Sequence, residues 1–202
     1  DGMGGAPGGD VASAMAVQEV AKGLHAGLEM RETVDQANLK ILEMARAQPA
    51  LTGMGTTLTA LRLSSADGSF VLGHVGDSRA YLRQSGVMEQ ITTDHTLVRE
   101  MVEAGKLSPE LERDHPFGHI LSRALGTEEE ADVDVLTGTV EPGDAFLLCT
   151  DGLMKVMGDA EIEDWVVGMG PGSLEDVVAA MIGVGVDRGA PDNITLAAMV
   201  LS

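Results

Sequence analysis

The sequence is poor in the residues that mark several common classes of protein. It has one cysteine, one tryptophan, one tyrosine and three phenylalanines among 202 residues. A single cysteine excludes a disulfide within the chain and favours a reducing compartment, so we expect a cytoplasmic protein with Cys149 packed in its core. No apolar run approaches the roughly 20 residues that a membrane-spanning helix needs.

Basic residues are also scarce. The chain has 13 lysines and arginines against 32 aspartates and glutamates, which gives a formal net charge of −19. Such a chain is not expected to bind nucleic acid through its phosphates or to dock on an anionic membrane. Hydrophobic residues make up 44% of the sequence, enough for a folded core. We expect a monomer.

The spacing of the apolar residues predicts two helices followed by a block of strands. The helices are expected from Asp10 to Leu24 and from Glu32 to Ala47. Strands are predicted over 56–63, 70–75, 80–83, 87–91, 132–140, 145–149 and 193–201, with later helices over 159–167 and 173–187. Strands and helices do not alternate, so we predict an α+β fold. The expected form is an antiparallel β-sandwich flanked by helical layers, in a single domain over 1–202.

An insertion over about 93–126 separates the early strands from the later ones. It is expected to contain a helix from Leu97 to Gly105, a short helix opened by Ser108-Pro109, and a last helical turn over Ile120 to Leu125. An insertion of this kind between strands is typical of a mobile flap over a site.

Four aspartates stand in short turns, three of them next to predicted strands. Asp151-Gly152 follows the apolar run 145–149, and the other three turns are Asp1-Gly2, Gly76-Asp77-Ser78 and Pro191-Asp192-Asn193. Each alone is a common turn sequence. A carboxylate at the mouth of a buried strand is costly unless it is paired, and a hard divalent cation is a natural partner. We therefore predict that the four aspartates converge on one metal cluster.

Five segments in a set order indicate a family. They are Asp1-Gly2-Met3-Gly4-Gly5, Gly53-Met54-Gly55-Thr56-Thr57, Gly76-Asp77-Ser78-Arg79, Thr150-Asp151-Gly152-Leu153 and Pro191-Asp192-Asn193-Ile194-Thr195. Together they resemble the metal-dependent Ser/Thr protein phosphatases of the PP2C (PPM) family in its compact bacterial form. Segments 93–96 and 122–126 also resemble those that flank the family's flap.

The resemblance implies an enzyme that hydrolyses phosphoserine and phosphothreonine in proteins. Hydrolysis would use a metal-activated water at a binuclear Mg²⁺ or Mn²⁺ centre, because paired divalent ions acidify water and neutralise phosphoryl charge. The implied substrates are phosphorylated proteins, with a Ser/Thr kinase acting on the same targets.

The resemblance also implies a role for each site residue. Asp1 would bridge the two metal ions and the Gly2 carbonyl would hold one of them. Asp151 and Asp192 would hold the other, and Asp77 with Asp151 a third ion nearer the flap. Asn193 would orient the nucleophilic water or the phosphate. The absence of side chains at Gly4 and Gly5 would let the backbone approach the metals.

Some positions depart from the family's pattern. Relatives usually carry two strands before the metal loop, with an arginine that grips phosphate, whereas this sequence begins at Asp1. Either those strands lie upstream of this sequence or the domain lacks them. Met3 and Ala6 stand where relatives often have histidine, and Gly118 where they often have arginine. No side chain is therefore evident as the general acid.

Several alternatives stay open at this point. One is a catalytically weakened or inactive module of the same fold that binds metal or a phosphoprotein. A second is a partner-switching phosphatase that acts on an anti-sigma-factor antagonist, and a third is an acidic scaffold whose aspartates lie apart. The histidines show no metal-ligand spacing and are expected to be structural or on the surface. Arg79 is expected to be an ion-pair partner.

Overall fold

A computed structural model of the protein describes residues 1–3, 7–113 and 115–202. The chain divides into two compact units. The first unit contains Asp1–Arg62, Val71–Asp77 and Asp94–Thr137, and the second contains Leu63–Phe70, Ser78–Thr93 and Gly138–Ser202. The expected single domain over 1–202, with a flap over about 93–126, stays a prediction.

Six α-helices and seven strands are present in the described residues. The helices are α1 Gly9–His25, α2 Met30–Ala47, α3 Leu97–Glu103, α4 Asp151–Met154, α5 Asp159–Val167 and α6 Leu174–Asp187. The strands are β1 Leu58–Leu63, β2 Ser69–Val75, β3 Arg79–Gln84, β4 Val87–Gln90, β5 Asp134–Thr139, β6 Ala145–Cys149 and β7 Leu196–Val200. Short 3₁₀ turns lie at Pro49–Leu51 and Pro109–Leu111. This content confirms the α+β class. No described helix is long and apolar enough to cross a membrane.

In the first unit, α1 packs against α2. The unit also contains most residues of a three-stranded sheet with the order β1-β2-β5. Small residues permit this packing, because Ala12, Ala16 and Ala37 are all at most 1% exposed. A Cβ atom on Gly23 would lie 2.6 Å from the side chain of Thr33, so only glycine allows this approach between the helices. The same core extends to Met54, Val75, Leu125 and Val133.

The helical turn predicted over Ile120 to Leu125 is wrong. Leu121 and Leu125 lie in isolated antiparallel bridges with Thr96 and Thr56. The N–H of Leu125 donates to the Thr56 carbonyl at 2.9 Å, and the Thr56 N–H donates back to the Leu125 carbonyl at 3.0 Å. The apolar spacing in this segment therefore reflects burial of Leu125 and not a helical face.

The second unit contains an antiparallel sheet with the order β4-β3-β6-β7. Its core brings Tyr81 of β3 and Leu147 of β6 together with residues of the three C-terminal helices, among them Leu153, Ile162 and Met181. Cys149 belongs to the same core and is buried, which confirms its predicted place. Arg79 pairs with Asp159 at 3.1 Å, so its predicted ion-pair role is also confirmed.

Arg83 of β3 fastens the end of α5 within the second unit. Its Nη1 lies 2.7–3.0 Å from the carbonyl oxygens of Val166, Val167 and Met169, and its Nη2 donates to the Gly143 carbonyl at 2.8 Å. The last carbonyls of a helix have no partner within it and carry partial negative charge. The Arg83 guanidinium supplies both hydrogen bonds to these carbonyls and a positive charge that offsets their partial negative charge.

We predict that Arg83→Met destabilises the protein by about 2–4 kcal/mol, because the carbonyls at the end of α5 and at Gly143 lose a charged donor. Chemical unfolding followed by circular dichroism measures this difference. Arg46→Met is the matched control. Its ion pair with Glu129 joins side chains 64% and 79% exposed, so its loss should change stability by less than about 1 kcal/mol. Equal effects in the two variants would contradict the role given to Arg83.

Candidate metal centre

In the first unit, Asp1 and Gly2 are held in place through their backbone. The Asp1 carbonyl accepts hydrogen bonds from the Thr57 N–H at 2.8 Å and from the Thr56 hydroxyl at 2.6 Å. Gly2 forms an antiparallel bridge with Thr56, and a Cβ on Gly2 would lie 2.2 Å from the carbonyl oxygen of Gly9. Position 2 therefore requires glycine, since the start of α1 lies directly against it. The expectation for Gly4 and Gly5 falls outside the described residues.

The turn before Asp77 is clamped by His95. The His95 N–H donates to the Gly76 carbonyl at 2.8 Å, and the Gly76 N–H donates to His95 Nδ1 at 3.1 Å. Gly76 has φ +110°, a conformation that side-chain-bearing residues rarely adopt. A Cβ there would also lie 2.5 Å from the side chain of Thr57, the residue that binds the Asp1 carbonyl. The Asp1 and Asp77 turns thus share one scaffold residue within the first unit.

A buried polar network supports that clamp. Because His95 Nδ1 accepts from Gly76, its Nε2 carries the proton and donates to Asp134 Oδ2 at 3.1 Å. Arg123 donates to the other oxygen of Asp134 at 3.0 Å. Although burial alone would raise the pKa of Asp134, the hydrogen bonds and charges of His95 and Arg123 hold it below its usual value. His95 is thus structural, as the sequence analysis expected.

In the second unit, Asp151 and Asp192 meet at one ammonium group. Lys155 Nζ lies 2.6 Å from Asp151 Oδ2 and 2.7 Å from Asp192 Oδ2. Asp192 Oδ1 accepts the N–H of Asn193 at 2.9 Å. The remaining oxygen, Asp151 Oδ1, is buried and has no hydrogen-bond partner among the described residues.

The segment that contains Asp192 is fastened to the end of β6 by Thr150. The Thr150 N–H donates to the Thr195 carbonyl at 3.1 Å, and the Thr195 N–H donates to the Thr150 hydroxyl at 3.0 Å. That hydroxyl in turn donates to the Asn193 carbonyl at 3.2 Å. These bonds keep Asp192 next to Asp151, although 41 sequence positions separate them.

The ionisation of this cluster follows from its contacts. The hydrogen bond from Lys155, followed by that from the Asn193 N–H, lowers the pKa of Asp192. Partial burial lowers the pKa of Lys155, but its hydrogen bonds to Asp151 and Asp192 outweigh this and raise it. The pair of carboxylates therefore already binds a cation.

The donor set suits a divalent ion of the Mg²⁺ or Mn²⁺ type. In the second unit the candidate donors are the carboxylate oxygens of Asp151 and Asp192, and in the first unit they are oxygens of Asp1, Gly2 and Asp77. Ions of this type prefer oxygen ligands. The unsatisfied Asp151 Oδ1 is a buried acceptor of the kind that a cation satisfies. In the part of the chain described, no three or more His, Cys, Asp or Glu residues form a metal-holding group.

Lys155 is a member of the cluster that was not predicted from the sequence. It follows Asp151 by four positions, the spacing at which an acidic and a basic side chain meet on a helix. That signal was present in Asp151-Gly152-Leu153-Met154-Lys155. Its contact with Asp192 was not readable, because it depends on the return of a distant segment.

Comparison with known proteins supports the family that the five ordered segments indicate. A family model for protein phosphatase 2C matches residues 1–181. The chain belongs to the protein phosphatase 2C family. A serine/threonine phosphatase stp of Listeria innocua is 41% identical over 174 residues, covering 81% of this chain and 68% of that protein.

Solved structures extend the likeness to the fold. Serine/threonine phosphatase Stp1 from Staphylococcus aureus has a TM-score of 0.89 at 30% identity, covering 100% of this chain and 81% of that one. The catalytic domain of the phosphatase PstP, in complex with two manganese ions, has a TM-score of 0.85 at 31% identity. That match covers 100% of this chain and 86% of the PstP chain. The protein is thus a PP2C-type serine/threonine protein phosphatase.

We predict that Gly152→Ala disrupts the pairing of Asp151 with Asp192. A Cβ at this position would lie 2.2 Å from the backbone oxygen of Asn193, so the 192–193 turn must move away from Asp151. We expect a loss of about 1–3 kcal/mol in unfolding free energy from this overpacking, measured by urea denaturation. Gly183→Ala on α6 is the control, because nothing lies within 4 Å of its new methyl. It should raise stability by about 0.5–1 kcal/mol, and a neutral Gly152→Ala would contradict the packing.

The lowered pKa of Asp134 gives a pH prediction. The stability that the ionised Asp134 contributes to the fold is fully present above the ordinary carboxyl pKa. It is lost as the pH falls through the lowered pKa of Asp134. Asp134→Asn should therefore destabilise the protein at pH 7 and lose this effect in acid. Because the side chain is 42% exposed, we expect only about 0.5–1 kcal/mol. Asp132→Asn, which removes a 71% exposed partner of the same Arg123, should have a smaller effect. Urea unfolding midpoints of the wild type and Asp134→Asn, measured at several pH values, test this prediction. A difference between the two proteins that does not change with pH would contradict it.

Proposed function

We propose that this phosphatase hydrolyses phosphoserine and phosphothreonine in proteins at a binuclear Mg²⁺ or Mn²⁺ centre. Asp1, the Gly2 carbonyl, Asp151 and Asp192 would hold the two ions, and Asp77 with Asp151 a third. The observation that carries the proposal is the Asp151–Asp192 pair. It already encloses a cation and leaves one buried carboxylate oxygen unsatisfied.

The chain's own residues supply positioning. Thr56 and Thr57 fix the Asp1 backbone, His95 fixes the turn at Asp77, and Thr150 fixes the segment of Asp192. Ligands held by rigid backbone lose little freedom when a cation binds, so they favour a defined coordination. When bound, paired divalent ions lower the pKa of water and offset the charge of phosphoryl oxygens.

Asn193 has a proposed role at the same place. Its backbone groups are already engaged, since its N–H donates to Asp192 and its carbonyl accepts from Thr150. These bonds therefore fix the backbone position from which the Asn193 side chain extends. Its amide would orient the attacking water or a phosphate oxygen.

The proposal extends to substrates and setting. The relatives named serine/threonine phosphatases support phosphoproteins as substrates, with a Ser/Thr kinase acting on the same targets. Cys149 is the single cysteine of the sequence and is buried, which suits a reducing compartment, and we place the enzyme in the cytoplasm on that basis.

The decisive experiment is Mn²⁺-dependent hydrolysis of a phosphothreonine peptide by the full chain. Asp151→Asn should lower kcat/KM by more than about 100-fold, because outer partners of a metal ligand alone contribute 10–100-fold. Asp164→Asn, an exposed acid on α5, should leave the rate unchanged. Activity that survives both chelation and Asp151→Asn would refute the proposal. Binding of Mn²⁺ without turnover would instead favour a phosphoprotein- or metal-binding module.

A further inference from the structure

Lys155 is the cation that the chain itself provides to its candidate ligands. Its Nζ contacts the Oδ2 atoms of Asp151 and Asp192 at 2.6 and 2.7 Å. It follows α4 directly, so its backbone is anchored to the same short helix that begins with Asp151. Of the three side chains, that of Asp151 is the least exposed, at 22%.

The ammonium satisfies this pair only in part. It contacts one oxygen of each carboxylate and adds a single positive charge to two negative ones. Within the part of the chain that the structure describes, Asp151 Oδ1 is left buried and without a hydrogen bond. A divalent ion carries twice the charge and accepts six or more oxygen ligands, so it matches the pair better.

A divalent ion and the ammonium need the same pair of carboxylates. An ion held by the same two carboxylates would lie within a few ångströms of the Lys155 ammonium, and two cations that close together repel each other strongly. The Lys155 side chain is 37% exposed and has a long flexible stem, so it has an open route to solvent.

We propose that Lys155 is a tethered competitor for the divalent ion bound by Asp151 and Asp192. Without metal it bridges the two carboxylates and holds them together, and metal binding displaces it into solvent. Lys155 therefore sets how tightly this chain binds the ion, and it keeps the ligands assembled while they are empty. This inference rests on the proposed metal centre.

Calorimetric titration of the full chain with MnCl₂ tests the competition. Lys155→Met should tighten the Kd for Mn²⁺ by about tenfold or more, because even a well-screened unit charge a few ångströms from a divalent ion has this effect. Lys155→Arg, which keeps the charge, should bind within about threefold of the wild type. Lys22→Met is the matched control, since Lys22 pairs with Glu19 at 2.6 Å on α1 and should not change the Kd.

Displacement has its own readout, separate from affinity. Amine-directed labelling followed by mass spectrometry should show Lys155 becoming more reactive when Mn²⁺ is added, while Lys22 stays unchanged. Lys155→Met should also lower the metal-free melting temperature and increase the rise that Mn²⁺ produces, because two carboxylates then face each other without a cation.

The outcomes separate this inference from the proposed function. If the wild type binds Mn²⁺ but Lys155→Met binds it equally or more weakly, or if labelling of Lys155 does not change, the competition is refuted and the metal centre stands. If only Lys155→Met binds Mn²⁺, Lys155 is a complete block and the inference is supported. If neither protein binds Mn²⁺, both proposals fail.

Discussion

The pairing of two carboxylates around one cation is the constraint on which the cluster in the second unit depends. Asp151 and Asp192 would repel each other if they were brought together alone, and Lys155 removes that repulsion. The three groups also explain why the turn at Asp192 stays beside the end of β6. Removal of one partner from such a cluster leaves an uncompensated charge in a partly buried place, so each residue constrains the other two.

The scaffold around these groups uses backbone contacts more than side-chain contacts. Thr150 exchanges bonds with Thr195 and Asn193, and His95 does the same with Gly76. Glycine at positions 2 and 152 lets neighbouring backbone lie where a methyl group could not fit. When the backbone on both sides of an aspartate is rigid, the direction of its side chain is fixed without further side-chain contacts. This suits a site made of short aspartate side chains.

Local signals in the sequence predicted much of the fold. The predicted helix at 159–167 and strand at 145–149 coincide with α5 and β6, because each is an apolar pattern closed by turn residues. The helical prediction for 120–125 was wrong because Leu121 and Leu125 pair with residues that are distant in the sequence. The contacts of Arg83 with the end of α5 and of Lys155 with Asp192 were unpredictable for the same reason. Their partners at 166–169 and 192 come close only after folding, and no short pattern encodes this.

The charge of the whole chain bears on how a phosphatase of this kind meets its substrate. A net charge of −19 opposes an incoming phosphate at long range, yet salt limits that field to about 8 Å at physiological ionic strength. Within that distance the local balance decides, and the Asp151–Asp192 cluster is neutralised only to the extent that a cation occupies it. A lysine reduces its charge by one and a divalent ion by two, so exchange of one for the other changes the local field from repulsive towards neutral. Under the proposed function, these acids would therefore need a bound divalent ion before a phosphate group could approach them.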